Sequence, residues 1–155
     1  MEVASHLGAD VIVRPHDLAD DYTPTIPVVR HAIRVLQDQY KPDVVCCIYP
    51  TSPFLMSNEL ISAKNMLVEK PWRFVISATK YHHPIQRAFG LSNMKSVKML
   101  NPENFSVRTQ EFDETYHDAD KFYWGFVDAW MTDDDIFSEQ TTAMLIPNHL
   151  TQGID

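Results

Sequence analysis

The sequence predicts an α/β fold, a mostly parallel sheet flanked by helices, and three observations carry that expectation. Helical and strand patterns alternate between residues 1 and 79, the order that lays helices over parallel strands. The stretch "DVVCCIY" is apolar at consecutive positions, as in a strand covered on both faces, and does not alternate. After Thr79 the periodicity lapses into a polar, aromatic-rich excursion, residues 80–125, which reads as a β-rich arm inside a single domain of residues 1–155.

The elements follow in order. "MEVASHLG" reads as the end of a helix, with Val3, Ala4 and Leu7 on one face and Gly8 as its left-handed cap. "DVIVRP" predicts a short strand stopped by Pro15. In "TPTIPVVRHAIRVLQDQY", Ile26, Val29, Ile33, Leu36 and Tyr40 fall on one helical stripe. Thr23 or Thr25 is the expected cap, Pro27 suits the first turn, and Lys41-Pro42 ends the helix. "DVVCCIY" is the next strand. "SNELISAKNMLVEK" is a helix capped by Ser57, with Leu60, Ala63 and Leu67 inward. "RFVISAT" predicts another buried strand. In the excursion "KSVKML" alternates like a strand, and "FYW" reads as a strand broken by Gly125. "FVDAWMTDDD" follows as a short helix and "TTAMLIP" as the last strand.

The 155 residues carry a net charge of −8, which argues against nucleic acid as a partner. No apolar run approaches the ~20 residues of a membrane span. The opening residues do not read as a signal peptide, and Cys46 and Cys47 are adjacent, a poor arrangement for a disulfide or metal. The expected setting is a reducing cytoplasm. His82-His83, His6, His16 and His31 lack metal-ligand spacing. Asp133, Asp134 and Asp135 read as a solvated turn, and Phe122, Tyr123, Trp124 and Trp130 as core or interface.

The chemistry concentrates in "YPTSPFL", directly after the central-looking strand. In open α/β sheets ligands sit beyond the carboxyl ends of the strands. Two prolines stiffen the loop, Thr51 and Ser52 offer hydroxyls, and Tyr49 offers a phenol. Such a loop suits a base or a sugar; a triphosphate wants a glycine-rich nest. Arg87 and Arg108 can each grip a carboxylate or phosphate. His117-Asp118 is an acid/base pair by composition, but neighbours on an extended chain diverge, which favours a structural or ligand-contact role.

"DVVCCIYPTSPFL" resembles the Pro-Thr-Ser/Ala-Pro segment of the acylneuraminate cytidylyltransferases, the CMP-sugar synthetases. "RPHDLADDYTPTIPVVRHA", "HPIQRAFGL", "PENFSVRTQEFDETYHDADKFYWG" and "LTQGID" point to the branch that activates pseudaminic acid. The resemblance implies a Rossmann-like nucleotidyltransferase fold in which the anomeric hydroxyl of a nonulosonic acid attacks the α-phosphate of CTP, with Mg²⁺ assisting. It implies a dimerisation arm bearing an Arg-x-Gln element, here Arg108 and Gln110, and hence a homodimer. It assigns a sugar acid or nucleotide to four segments converging on one sheet edge: Tyr49 to Ser52, Gln86-Arg87, Arg108 to Gln110, and Asp118.

Three departures from the family pattern stand out. The four glycines fall at 8, 90, 125 and 153, and no Arg-x-Gly-Ser-Lys loop is present, so the expectation is a fold lacking its N-terminal triphosphate-binding part. The family's "QDID" is Gln152-Gly153-Ile154-Asp155, leaving Asp155 as the expected Mg²⁺ ligand and no stably bound metal. Asp120 and Lys121 replace a Gly and a Gln before Phe122. The expected function is therefore a cytidylyltransferase-family chain that is catalytically impaired alone. The alternatives are a non-catalytic homodimeric binding module and one half of a split enzyme.

Overall fold

The computed structural model describes residues 2–133 and 135–154; Asp134, and Asp155 with its expected metal role, lie outside the described residues, as does Met1. Helix α1 is Glu2–His6, and Gly8 caps it at φ 85° as expected. Val3 and Leu7 are nevertheless exposed. The expected strand at 10–15 is absent: Val11 and Val13 are exposed and the segment is irregular. Apolar β-branched residues alone do not make a strand, which requires a hydrogen-bonded neighbour. Helix α2 spans Thr25–Tyr40. Its N-cap is Pro24 in place of Thr23 or Thr25, and Thr23 instead joins a turn built on Asp20, whose Oδ1 accepts from Tyr22 N, Thr23 N and the Thr23 hydroxyl. Lys41 closes the helix in the left-handed region at φ 43°.

Strand β1 is Val44–Ile48, helix α3 Ser57–Glu69 and strand β2 Phe74–Lys80. Ser57 is the first helical residue; Glu59 carries the cap, its Oε2 accepting from Met56 N at 3.1 Å. The excursion contains a hairpin, β3 Phe89–Leu91 against β4 Val97–Met99, antiparallel with Gly90 opposite Lys98. The rest of it is 3-10 turns at Ile85–Arg87, Pro102–Ser106 and Thr109–Glu111. It is therefore less β-rich than expected, and it stops earlier. Strand β5, Tyr116–Phe126, belongs to the main sheet and runs through Gly125. Helix α4 is Val127–Met131 and strand β6 Thr141–Leu145.

The main sheet has the order β1-β5-β2-β6. Val127 N donates to Asp43 O, and Tyr49 N to Lys121 O, so β5 runs antiparallel to β1. Phe126 N to Arg73 O and Tyr81 N to Thr115 O make it antiparallel to β2 as well. Arg73 N to Gln140 O and Ile146 N to Ala78 O make β2 and β6 parallel. The sheet is mixed rather than mostly parallel. The late strand β5 lies between β1 and β2. As the outer strand of this sheet, β1 is only half-buried, not covered on both faces.

The chain divides into two compact units. One comprises Met1–Cys47, Lys64–Val75 and Tyr123–Thr142. Its core holds Val29, Ile33, Phe74 and Trp130, the last two packed edge to face at 5.1 Å. Trp130 Nε1 donates to Val45 O at 3.2 Å. Arg30 donates to the Trp130 and Thr132 carbonyls at the end of α4 and pairs with Asp133. The other unit comprises Ile48–Ala63, Ile76–Phe122 and Ala143–Asp155. Its core mixes Ile76, Ala78, Phe122 and Ile146 with buried Ser77, Thr79, Glu59 and Lys121, and every expected site residue in the described chain belongs to it.

Candidate ligand-binding site

The proline loop after β1 is held from four sides. Ser52 N donates to Tyr49 O at 3.3 Å and Leu55 N to Ser52 O at 3.2 Å, two successive turns that coil the loop on itself. The Ser52 hydroxyl donates to Asp120 O at 2.6 Å. Ile154 N, in the closing segment, donates to Thr51 O at 3.0 Å. Lys121 Nζ donates to Phe54 O at 3.0 Å. The Ser52 hydroxyl proton is thus engaged by the protein, and its lone pairs are what it can offer a ligand.

The opposite wall is a bulge in β5. Lys121 N and Phe122 N both donate to the Ser77 hydroxyl, at 3.1 and 3.2 Å, two consecutive residues facing one on β2. Asp120 sits in the left-handed region at φ 49°, where glycine is at ease, and its N–H donates to Asp118 Oδ1 at 2.9 Å. The glycine that the resemblance expects at this position is explained by that conformation. Lys121 lies fully buried beneath the loop, with Nζ 2.7 Å from Glu59 Oε2. Its charge is compensated there by ion pairing, as a buried ammonium requires.

The other expected residues sit in the excursion. Arg87 donates to Phe105 O at 3.0 Å and to the Thr109 hydroxyl at 3.4 Å, and Gln86 O accepts from Asn104 Nδ2 at 3.2 Å. These bonds fold the excursion on itself. Arg108 and Gln110 are exposed. Tyr49, Thr51, Ser52 and Asp118 are thus brought to the loop and bulge, and Gln86, Arg87, Arg108 and Gln110 to the excursion. The corner Tyr81–Pro84, where the chain leaves β2, borders two cavities, and neither is lined by Tyr49, Thr51, Ser52 or Asp118. One cavity of about 420 Å³ is lined by Lys80 to His83, His117, Asn148 and Thr151. Another of about 320 Å³ runs from Lys80–Pro84 to Thr109, Gln110 and Phe112–Thr115.

From sequence, His82 and His83 at this corner were weighed only as metal ligands, and His117 only with Asp118 as an acid/base pair or a structural or ligand contact, so the corner itself was missed. His117 and Tyr81 rings lie 4.6 Å apart, and His117 Nδ1 donates to Asp118 O at 2.7 Å, since a carbonyl can only accept. His82 Nε2 meets Asn148 Nδ2 at 2.9 Å, and Asn148 is anchored by Thr79. Lys80 pairs with Glu114, and its hydrogen bond, with a second from Tyr116, holds the Glu114 carboxyl below its usual range. Hydrogen bonding to that carboxylate in turn raises the Tyr116 phenol. The corner therefore offers imidazoles, an amide and hydroxyls, a set suited to a polyhydroxylated ligand. Among the described residues no three His, Cys, Asp or Glu side chains converge to hold a metal ion.

No family model matches the chain. Curated relatives do. Pseudaminic acid cytidylyltransferases of two Campylobacter jejuni strains are each 37% identical over 157 aligned residues, covering 100% of this chain and 68% of the relative. A Helicobacter pylori protein named pseudaminic acid cytidylyltransferase and UDP-2,4-diacetamido-2,4,6-trideoxy-beta-L-altropyranose hydrolase is 30% identical over 146 residues, 93% of this chain and 28% of the relative. An Escherichia coli N-acylneuraminate cytidylyltransferase is 31% identical over 86 residues, 54% of this chain and 20% of the relative. The similarity to the first two runs through loop, bulge and excursion alike, and the chain belongs to the pseudaminic acid cytidylyltransferase family.

Proposed function

We propose that this chain supplies the sugar-acid side of a CMP-transfer site for pseudaminic acid or a close nonulosonic acid. The carrying observation is the 37% identity along its whole length to relatives that bear that name. In the reaction the anomeric oxygen of the sugar bonds to the α-phosphorus of CTP, the bond to the β-phosphate breaks, and pyrophosphate leaves. Tyr49, Thr51, Ser52 and Asp118 form the loop-side subsite, and Gln86, Arg87, Arg108 and Gln110 the excursion side. The working form is a cytoplasmic homodimer in which the excursion meets the second copy.

The 155 residues contain no glycine-rich phosphate loop, and phosphoryl transfer rests on backbone donors and fixed cations at the phosphates. By themselves they are expected to form no CMP-sugar from CTP and pseudaminic acid with Mg²⁺. Turnover at an ordinary rate of ~1 per second would overturn that part. The binding part is tested by NMR titration of pseudaminic acid, expected to bind with a Kd on the order of 1 mM. Shifts confined to residues 49–55, 81–87 and 117–121 support the site. No shifts up to tens of millimolar would favour the second reading, a module that has kept the fold without the ligand.

A further inference from the structure

We propose that Lys121 is a positioning residue for the proline loop: its buried ammonium, paired with Glu59, fixes the Phe54 carbonyl and with it the ligand-facing turn from Tyr49 to Leu55. The inference rests on the reading that this loop contacts ligand. The geometry is specific. Lys121 Nζ reaches two acceptors on two different segments, Phe54 O at 3.0 Å at the end of the loop and Glu59 Oε2 at 2.7 Å in the first turn of α3. Glu59 Oε2 also accepts from Met56 N at 3.1 Å, so one carboxylate oxygen joins the lysine to the residue that links loop and helix. The lysine's own backbone completes the frame: its carbonyl accepts from Tyr49 N at the start of the loop, and its N–H is seated on Ser77. One residue therefore holds the loop at both ends, through its main chain at Tyr49 and its side chain at Phe54.

A buried lysine is an expensive way to fill space. Pairs of this kind are often matched or bettered in stability by apolar residues of similar volume. What an apolar residue cannot do is donate to a carbonyl. Phe54 lies just beyond Pro53, which has no N–H to offer a neighbouring turn, so Lys121 supplies from the side chain a donor that the proline-bracketed segment lacks in its main chain. The neighbouring left-handed Asp120 serves the same frame: the bend there presents its carbonyl to the Ser52 hydroxyl. The bulge thus contributes three anchors to the loop, at Tyr49, Ser52 and Phe54.

The test separates position from stability. In Lys121→Met with Glu59→Gln, both charges go together, and the amide oxygen of Gln can still accept from Met56 N. We expect a fold melting close to wild type. Amide exchange at Ser52 and Leu55 should be faster by about tenfold or more, the loss of one charge-assisted hydrogen bond. CMP and pseudaminic acid, titrated as separate probes, should bind about tenfold more weakly. Unchanged exchange at Ser52 and Leu55, or unchanged binding, overturns the proposal. Should the double variant not fold, Lys121→Met with Glu59→Met, which leaves neither an unpaired charge nor a buried polar side chain at the two positions, is read the same way. If wild type binds neither probe, the ligand reading fails, while the exchange rates still decide whether Lys121 positions the loop.

Discussion

The ring of Phe74 fills the space where a side chain at Gly125 would stand. A Cβ built on Gly125 would lie 2.5 Å from Phe74 Cδ1 and Cε1 and 2.8 Å from Trp130 Nε1. Both neighbours are buried and packed on each other, so neither can retreat cheaply. Gly125→Ala is expected to cost about 3 kcal/mol in urea unfolding. A loss below about 0.5 kcal/mol would show that the Phe74–Trp130 pair yields.

At Asp120 the backbone, not the side chain, sets the order of tolerance. At φ 49° a β-branched residue is an outlier and glycine is free. Asp120→Val should be less stable than Asp120→Gly by about 1–2 kcal/mol. Asp120→Gly also removes a negative charge beside the loop and should tighten binding of the sugar acid. If the valine variant proves the more stable, the left-handed bend does not govern this position.

Arg87 is an internal strut of the excursion as well as a candidate ligand contact. Arg87→Ala should accelerate amide exchange at Val107 and Glu111 and weaken sugar-acid binding. Global stability should change by less than about 1 kcal/mol, since the side chain is exposed. Arg87→Lys should not restore the strut, because an ammonium lacks the planar fork that spans two acceptors. Recovery of both readouts in the lysine variant would reduce the role of Arg87 to its charge.

Burial pushes the Cys46 thiol up to about 12, with the neighbouring Cys47 adding to the shift. The folded state therefore holds its proton where the unfolded chain, with the ordinary thiol value of 9.0, releases it. Stability from this group is fully present below pH 9 and is lost as pH rises toward 12. Native protein should resist thiol alkylation at pH 8 and react fully in urea. Rapid native labelling of Cys46 would contradict its burial.

The excursion exposes Phe89, Leu91, Met94, Val97, Leu100 and Phe105, and an isolated two-stranded hairpin is marginal in water. A homodimer is the expected state at micromolar concentration by light scattering. A monomer there would remove the excursion as an assembly element.

Helix α2, β1, α3, β2, α4 and β6 were legible because α2 and α3 carry apolar stripes at helical spacing, the strands are short apolar runs, and prolines follow α2, β1, α3 and β6. The strand at 10–15 was misread because propensity is blind to whether a partner exists. The place of β5 between β1 and β2 was not legible, because order along a chain does not state order across a sheet. At the candidate site, "PTSP" was legible as a stiff loop at the end of β1. The Lys121–Glu59 pair beneath it was not, since nothing in "HDADKFYWG" says that a lysine faces inward. Asp120 was noticed as a departure, but its reason, a left-handed bulge, appears only in the backbone.

The strand order carries a further consequence for how the chain is made. β1 and β2 are complete within the first 80 residues, yet each needs β5, which begins at Tyr116, as its neighbour in the sheet. During synthesis at ~5–20 residues per second, the two strands wait for seconds with their main-chain groups unsatisfied. The nascent chain thus passes through an interval in which its most apolar segments are open to holding chaperones or to other nascent copies. Sheet closure depends on a contact of long sequence separation, the kind that slows folding. Slowing elongation between residues 80 and 126 should lower the soluble yield of this protein more than slowing it within α2.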